Sequence, residues 1–142
     1  ADPHAASIVF ASVAPLVMIG LDVTHQVLTT PERLAKIQGL GNTVGAVVGR
    51  MLDHYGRHDI KRFGFPGGPL HDPCVIAYLL NPALFSGRRV HVDIETDSPK
   101  CMGQTVVDWW GKRTEQPNAL VIDTVDSDGV YELIEEHLGR LQ

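Results

Sequence analysis

The amino-acid sequence predicts an α/β fold: an open, mostly parallel sheet flanked by helices, with an antiparallel hairpin at its edge. Three observations carry that reading. Two continuous apolar runs of strand length, LVMIGLDV at 16–23 and ALVIDTV at 119–125, lack the alternation of a half-exposed strand, so they ask to be buried on both faces as strands of parallel sheets are. Between them lie several segments with helix-start signals. One stretch, RRVHVDIET, does alternate, placing Val90, Val92 and Ile94 on one face, the pattern of a strand packed on one side only. Helices interleaved with fully buried strands define the α/β class.

Taken in order, Asp2-Pro3 starts a helix over 3–13, because the Asp carboxylate can accept from a free backbone N–H and Pro at the first position has none to lose. The run 16–23 follows as a strand. TTPERLAKI repeats the same start, with Thr30 as cap and Pro31 at the first helical position. NTVGAVVGRMLDHY is a helix, predicted to end near Gly56 because glycine is the usual C-terminal stop. The loop GFPGGPLHDP then leads into a helix from Pro73 to Leu80, which must stop before Pro82. RRVHVDIET pairs with QTVVDWW across DSPKCMG as the edge hairpin. After the strand 119–125, a last helix from about Asp128 to Leu141 carries Val130, Leu133, Ile134, Leu138 and Leu141 on one stripe. No repeat and no low-complexity segment interrupts this order.

The totals bound the function. At 142 residues the chain has the length of one ordinary domain. A net charge of −5 with scattered Lys and Arg argues against nucleic acid as a partner, which would need clustered cations. No apolar run reaches the roughly 20 residues that span a bilayer, so no membrane partner is expected. Cys74 and Cys101 form no C-x-x-C and suggest neither a disulfide framework nor a zinc ribbon, and a reducing, cytoplasmic setting is the default expectation. The opening ADPHAASIVF has no Met and no signal pattern, and reads like a chain cut in the middle.

Several polar residues fall where chemistry is expected. In open α/β sheets ligands bind beyond the carboxyl ends of the strands, and Asp22, Thr24 and His25 in GLDVTHQ lie at such an end. Their plain reading is capping of the next turn; the functional one is support behind a site. His54 and His58 have the i, i+4 spacing of two zinc ligands, but no Glu follows His54 to act as a base, and a solvated helix end is the better reading. His91 and His4 read as structural. His71 and Asp72 pose the sharpest question. A helix cap explains Asp72 and leaves His71 unexplained, whereas glycines and prolines ahead of the pair let a backbone approach a ligand, and a His beside a carboxylate suits proton donation.

The segments GGPLHDPCVIAYLLNPALF, VDIET, GQTVVD and PNALV, in that order, resemble the C-terminal part of the inosine-uridine preferring nucleoside hydrolases, and DPHAASIVFASVAPLVMIGLDVTHQVL resembles the part just before it. The similarity spans essentially the whole chain. The resemblance implies hydrolysis of the N-glycosidic bond of purine or pyrimidine ribonucleosides to ribose and free base, with one Ca²⁺ holding the ribose hydroxyls and the attacking water. By matched position it implies that Asp72 is a calcium ligand and that His71 donates a proton to the leaving base. Nucleobase contacts would come from the helix and loop before the histidine, with Tyr55, His58 and Phe63 as candidates.

The departures from the family pattern are as informative. The acidic D-x-D-x-G-x-D-D segment and the Asn/Glu/Asn ribose-binding segment are absent, and DSPKCMG replaces the usual Gly and Arg before GQTVVD. Since Ca²⁺ takes six to eight oxygens, Asp72 alone cannot build the site. The chain is therefore expected to be the C-terminal segment of a single nucleoside-hydrolase-like domain whose N-terminal half comes from the same gene or a companion chain, and a homo-oligomer is the expected assembly. The alternative is a non-catalytic α/β remnant or interaction module.

Overall fold

The computed structural model describes residues 1–141. The chain forms, in order, α1 (Pro3–Phe10), β1 (Leu16–Ile19), α2 (Leu21–Thr24), β2 (Leu28–Thr29), α3 (Pro31–Gln38), α4 (Thr43–Phe63), β3 (Gly68–Pro69), α5 (Pro73–Leu80), a 3₁₀ turn (Pro82–Leu84), β4 (Phe85–Val90), β5 (Val92–Ile94), β6 (Thr105–Val107), β7 (Ala119–Val125) and α6 (Ser127–Gly139). It is a mixed α/β structure, as predicted. Two compact units divide it: Ala1–Met18 with Gly87–Ile122, and Ile19–Ser86 with the chain from Asp123 onward.

In the first unit the strand order is β1-β7-β4. The buried cluster is Val90, Val92, Ala119 and Val121, with Phe10, Leu16, Met18, Val107 and Trp109 packed around it. Helix α1 starts as predicted, the Asp2 carboxylate accepting from the Ala5 N–H at 2.9 Å. It stops at Phe10 rather than residue 13, the Ala11 N–H donating to the Ser7 carbonyl and the Ser12 N–H closing a tighter last turn on the Val9 carbonyl. Strand β7 covers the predicted run and buries Ala119, Val121 and Ile122. The run 16–23 behaves differently. It leaves the sheet at Ile19, Gly20 caps the one-turn α2, and an apolar run by itself does not distinguish a strand from a helical turn.

The alternating stretch also splits. Strand β4 ends at Val90 and β5 begins at Val92, antiparallel to β6 with Val92 opposite Val107 and Ile94 opposite Thr105, so the predicted hairpin forms, but as a separate two-stranded sheet rather than at the edge of β1-β7-β4. The break has a chemical cause. The Asn118 carboxamide accepts from the Val92 N–H at 2.8 Å and donates to the Val92 and Phe10 carbonyls at 2.9 Å, doing at this point what a neighbouring strand would otherwise do. At the hairpin turn, the Glu95 carboxylate accepts from the N–H groups of Asp97 and Ser98. Those bonds hold its carboxyl below the ordinary range.

In the second unit Thr30 caps α3, accepting from the Arg33 N–H, and Asn42 caps α4, accepting from the Gly45 N–H at 2.7 Å. Helix α4 does not end near Gly56. It runs to Phe63 and is stopped by Gly64, which has the left-handed φ of 69°. Gly56 is instead a contact point: a Cβ built there would lie 3.1 Å from the Gly68 Cα, and one built on Gly68 would lie 2.4 Å from the Gly56 Cα. Two backbones meet with no side chain between them, so this glycine marks packing rather than a helix end. Across from this contact, β3 pairs antiparallel with β2, Thr29 opposite Gly68 and Leu28 opposite Pro69. Helix α6 starts one residue before the predicted Asp128, capped by Asp126. Its predicted stripe is half right: Val130 is buried, Leu141 is exposed, and Tyr131 is buried instead, its hydroxyl 2.6 Å from the Thr29 hydroxyl and the Arg33 guanidinium 4.3 Å above its ring.

Gly68→Ala forces a methyl group into the α4 backbone, where no flexible side chain can give way. It is expected to cost about 1–3 kcal/mol, the usual range for overpacking, read as a lower urea midpoint. Gly56→Ala, with the milder approach, should cost less. Equal stability of Gly68→Ala and the parent chain would mean that the two backbones are not held together there.

Candidate functional site

The segment from Gly64 to Asp72 is irregular except for the two-residue strand β3, but its middle is packed rather than free. Gly67, Gly68, Pro69 and Leu70 are all buried. A Cβ on Gly67 would stand 2.4 Å from the Thr29 carbonyl oxygen, so this glycine, like Gly68, serves close approach between protein backbones and not to a ligand. The Leu70 N–H donates to the Val27 carbonyl at 2.8 Å, extending the β2–β3 pairing by one bond. That ladder ends with His71 set beside the turn of α2.

There the imidazole meets a hydroxyl. His71 Nδ1 lies 2.7 Å from Thr24 Oγ1, across a sequence separation of 47 residues. Thr24 is 4% exposed and His71 half-buried. The His25 ring sits 5.5 Å from His71 and edge-on to Phe65 at 5.3 Å, and Tyr55 from α4 stands T-shaped to His71 at 6.5 Å. Phe63 joins through Phe65, stacked at 5.5 Å, and lies 6.4 Å from His25. Five rings from three stretches of chain thus form one cluster. Gln26 closes the same turn, its side-chain amide donating to the Asp22 and Asp123 carbonyls.

Asp72 stands at the N-cap position of α5, but its backbone is already helical (φ −59°, ψ −38°) and its side chain makes no capping hydrogen bond. The first amides of α5 go elsewhere: the Cys74 N–H donates to the His71 carbonyl and the Val75 N–H to the Asp72 carbonyl. The cap therefore does not account for the Asp72 carboxylate, which is exposed.

The pair opens onto a cleft of about 530 Å³ with α4 as one wall and the β3–α5 segment as the other, within the usual range for small-molecule sites. Met51, Leu52, His54 and Tyr55 line the helical side, and Leu70, His71 and Asp72 the opposite one. Of the residues singled out from the sequence, His54, Tyr55, His71 and Asp72 come together on this cleft. Phe63 belongs to the ring cluster behind it. His58 lies further along α4, exposed, and does not line the cleft. Among the described residues no group of three or more His, Cys, Asp or Glu is placed to hold a metal ion, which leaves the His54–His58 pair without a third ligand. Phe65 and Thr24 are the contributors that sequence reasoning undervalued. Phe65 carries no motif, and capping explained Thr24 too easily.

A family model described as inosine-uridine preferring nucleoside hydrolase matches residues 1–132. An uncharacterised protein of Schizosaccharomyces pombe is 46% identical over 140 residues, which is 99% of this chain and 45% of that protein. The pyrimidine-specific ribonucleoside hydrolase RihA of Escherichia coli is 43% identical over 138 residues, 96% of this chain and 44% of RihA. Among solved structures, a purine-preferring ribonucleoside hydrolase from Gardnerella vaginalis superposes with a TM-score of 0.84 at 28% identity, covering 99% of this chain and 46% of the other. A plant nucleoside hydrolase, PpNRh1, gives 0.85 at 26% identity, covering 98% and 46%. The chain spans about half the length of the relatives that it matches.

Beside the pair, Cys74 is buried and its thiol donates to the Leu70 carbonyl, and burial pushes its pKa up to about 11. A maleimide or similar reagent at neutral pH should label the exposed Cys101 and leave Cys74 untouched until the chain unfolds, read as one label per chain against two in denaturant. The sign of the pH dependence follows: as pH rises from the ordinary thiol value of 9.0 toward 11, the unfolded chain releases this proton while the folded chain keeps it, so stability falls across that window. Cys74→Ala should flatten that part of the profile.

Proposed function

We propose, because the chain belongs to the inosine-uridine preferring nucleoside hydrolase family, that it forms part of a nucleoside N-ribohydrolase, which cleaves the N-glycosidic bond of purine or pyrimidine ribonucleosides with water. The observation that supports this reading most directly is the placement of His71 and Asp72 side by side on a ring-bordered cleft, with the carboxylate not spent on the helix cap. An imidazole titrates near neutrality, which suits protonation of a departing base. Tyr55, and Phe63 through the ring cluster, offer aromatic surface to a planar base. His58 remains a candidate only for a ligand reaching beyond the cleft.

Calcium is the metal proposed, with Asp72 as the one ligand that this chain contributes. A carboxylate is the hard oxygen donor that Ca²⁺ requires, but the ion takes six to eight oxygens. The described residues of this chain therefore do not make a calcium site by themselves, and no step is drawn through the ion. The remaining ligands would come from polypeptide corresponding to the rest of the relatives' length, in the same gene product or a companion chain. The apolar surface is consistent with such a partner or with a homo-oligomer. Helix α5 exposes Val75, Ile76, Leu79 and Leu80, Leu79 to 70%, beside a groove of about 620 Å³ between α5 and α6 that Asp72 borders. Among the described residues no helix is long and apolar enough to cross a membrane, and a cytoplasmic setting is proposed alongside.

A non-catalytic α/β module is the second reading, and the exposed apolar face of α5 is the surface that such an interaction module would use. Two measurements separate the readings. The 142-residue chain alone should neither bind Ca²⁺ tightly by calorimetry nor release reducing sugar from inosine or uridine; activity would contradict the shared-site model. With the remaining portion supplied, hydrolysis should appear if the enzyme reading holds. In that assembly Asp72→Ala should weaken metal and substrate binding and depress every substrate. His71→Ala should lower turnover of inosine by roughly 10²–10⁴-fold, the range for general acid catalysis, and largely spare a nitrophenyl riboside whose leaving group needs no proton.

A further inference from the structure

We propose that the cleft at the end of β4, beside Arg88, Trp109 and Trp110, is a binding site for a small aromatic anion, a planar ring bearing a phosphate or a carboxylate. Its volume is about 510 Å³, within the usual range for small-molecule sites. It shares no lining residue with the cleft at His71, and the proposal does not rest on the hydrolase reading. The chain has two tryptophans, and both line this one cleft. Trp109 packs against the core cluster, whereas Trp110 is 84% exposed. An indole is one of the largest apolar surfaces that a side chain can bury, and here it is left in water beside a cavity.

Two cations border the same space without a carboxylate partner. The Arg88 guanidinium lies 4.5 Å above the Trp109 ring and makes one hydrogen bond, at 3.4 Å, to the Trp109 carbonyl. Among the described residues neither Arg88 nor Arg89 has an ion-pair partner. Stacking fixes the plane of a guanidinium and leaves its N–H edges free for a forked anion. The carboxylates of the cleft are already committed. Asp108 accepts from the backbone N–H groups of Lys112 and Arg113 at 3.0 and 2.9 Å, and Glu115 pairs with Arg113 at 3.1 Å. The walls are held as well: His91 Nδ1 lies 3.0 Å from the Gln116 carbonyl oxygen, Arg113 also pairs with Asp93 at 2.6 Å, and Gly111 turns the loop with a left-handed φ of 59°. A ligand would therefore not have to order this loop, which lowers the cost of binding. A ring laid on Trp110 removes apolar area from water, and an anion at Arg88 gains charge-assisted hydrogen bonds. Each contact is weak alone, and only a ligand with both groups makes the two together.

The test needs no catalytic activity. Because both tryptophans line this cleft, selectively excited tryptophan emission of the 142-residue chain reports on it directly. Four probes separate ring from charge: phenyl phosphate and benzoate carry both, inorganic phosphate the charge alone, and phenol the ring alone. The expected result is a saturable emission change with phenyl phosphate or benzoate, at least roughly tenfold tighter than with inorganic phosphate or phenol, about the worth of one charge-assisted hydrogen bond. Which of the two aromatic anions binds more tightly identifies the acidic group. Arg88→Gln should weaken that binding by roughly tenfold, with Arg88→Lys between the two because it keeps the charge and loses the fork. His71→Ala should leave it unchanged. No saturable change in the parent chain with either aromatic anion up to about 10 mM, well into the range of negligible affinity, would overturn the proposal whether or not any variant folds. Equal affinity for phenol or for inorganic phosphate would overturn it too, since ring and charge would then not act together. So would undiminished binding in a folded Arg88→Gln, or loss of binding in a folded His71→Ala. If the assembled protein proves inactive on nucleosides, the hydrolase reading fails while this result stands on its own.

Discussion

The contact between Gly56 and Gly68 is the constraint on which the candidate site depends. A helix and an extended strand cannot normally bring their backbones this close, because Cβ atoms on either side would collide, and here neither residue has one. The consequence propagates along both segments. On α4 the residue beside Gly56 is Tyr55, and on the other segment three residues separate Gly68 from Asp72. The cleft wall that carries Tyr55 and Met51 is thereby set opposite the one that carries His71 and Asp72. Any side chain at the contact would push the walls apart before it touched the chemistry.

Buried or half-buried polar side chains do much of the remaining work, and they act on backbone or on one another rather than on solvent. Asn118 satisfies three backbone groups where β4 gives way to β5. Asn42 caps α4 through its oxygen and, through its nitrogen, donates to the Leu138 and Leu141 carbonyls at the far end of α6. Thr29 and Tyr131 satisfy each other. Such groups are costly to bury alone and directional when paired, so they specify one arrangement where apolar packing would tolerate several.

The apolar surface left outside these units has a bearing on function. Monomeric soluble proteins seldom expose contiguous apolar patches beyond a few hundred Å², yet α5 presents Val75, Ile76, Leu79 and Leu80 and α1 buries no residue at all. Asp72 stands where the cleft and the α5–α6 groove meet. A partner covering the groove would arrive beside this carboxylate. Under the proposed shared-site reading, completing the apolar packing and completing a set of oxygen ligands would be one event.

The sequence by itself determined most of the elements and their order, because caps, prolines and apolar periodicity are local signals. Asp2, Thr30 and Pro73 mark helix starts that the structure keeps, and ALVIDTV is a strand over its full predicted length. It also determined that His71 and Asp72 are neighbours at a helix start. What only tertiary structure decided were matters of long-range partnership. Gly56 looks like a helix stop until the Gly68 backbone that it touches is known. RRVHVDIET looks like one strand until Asn118 intervenes. Asp72 looks like a cap until the turn carbonyls are seen to take the amides instead. Thr24 has no reason to matter to His71 until the β2–β3 ladder closes the loop between them. In each case the local pattern is compatible with two states, and the energy that chooses between them comes from a residue distant in sequence.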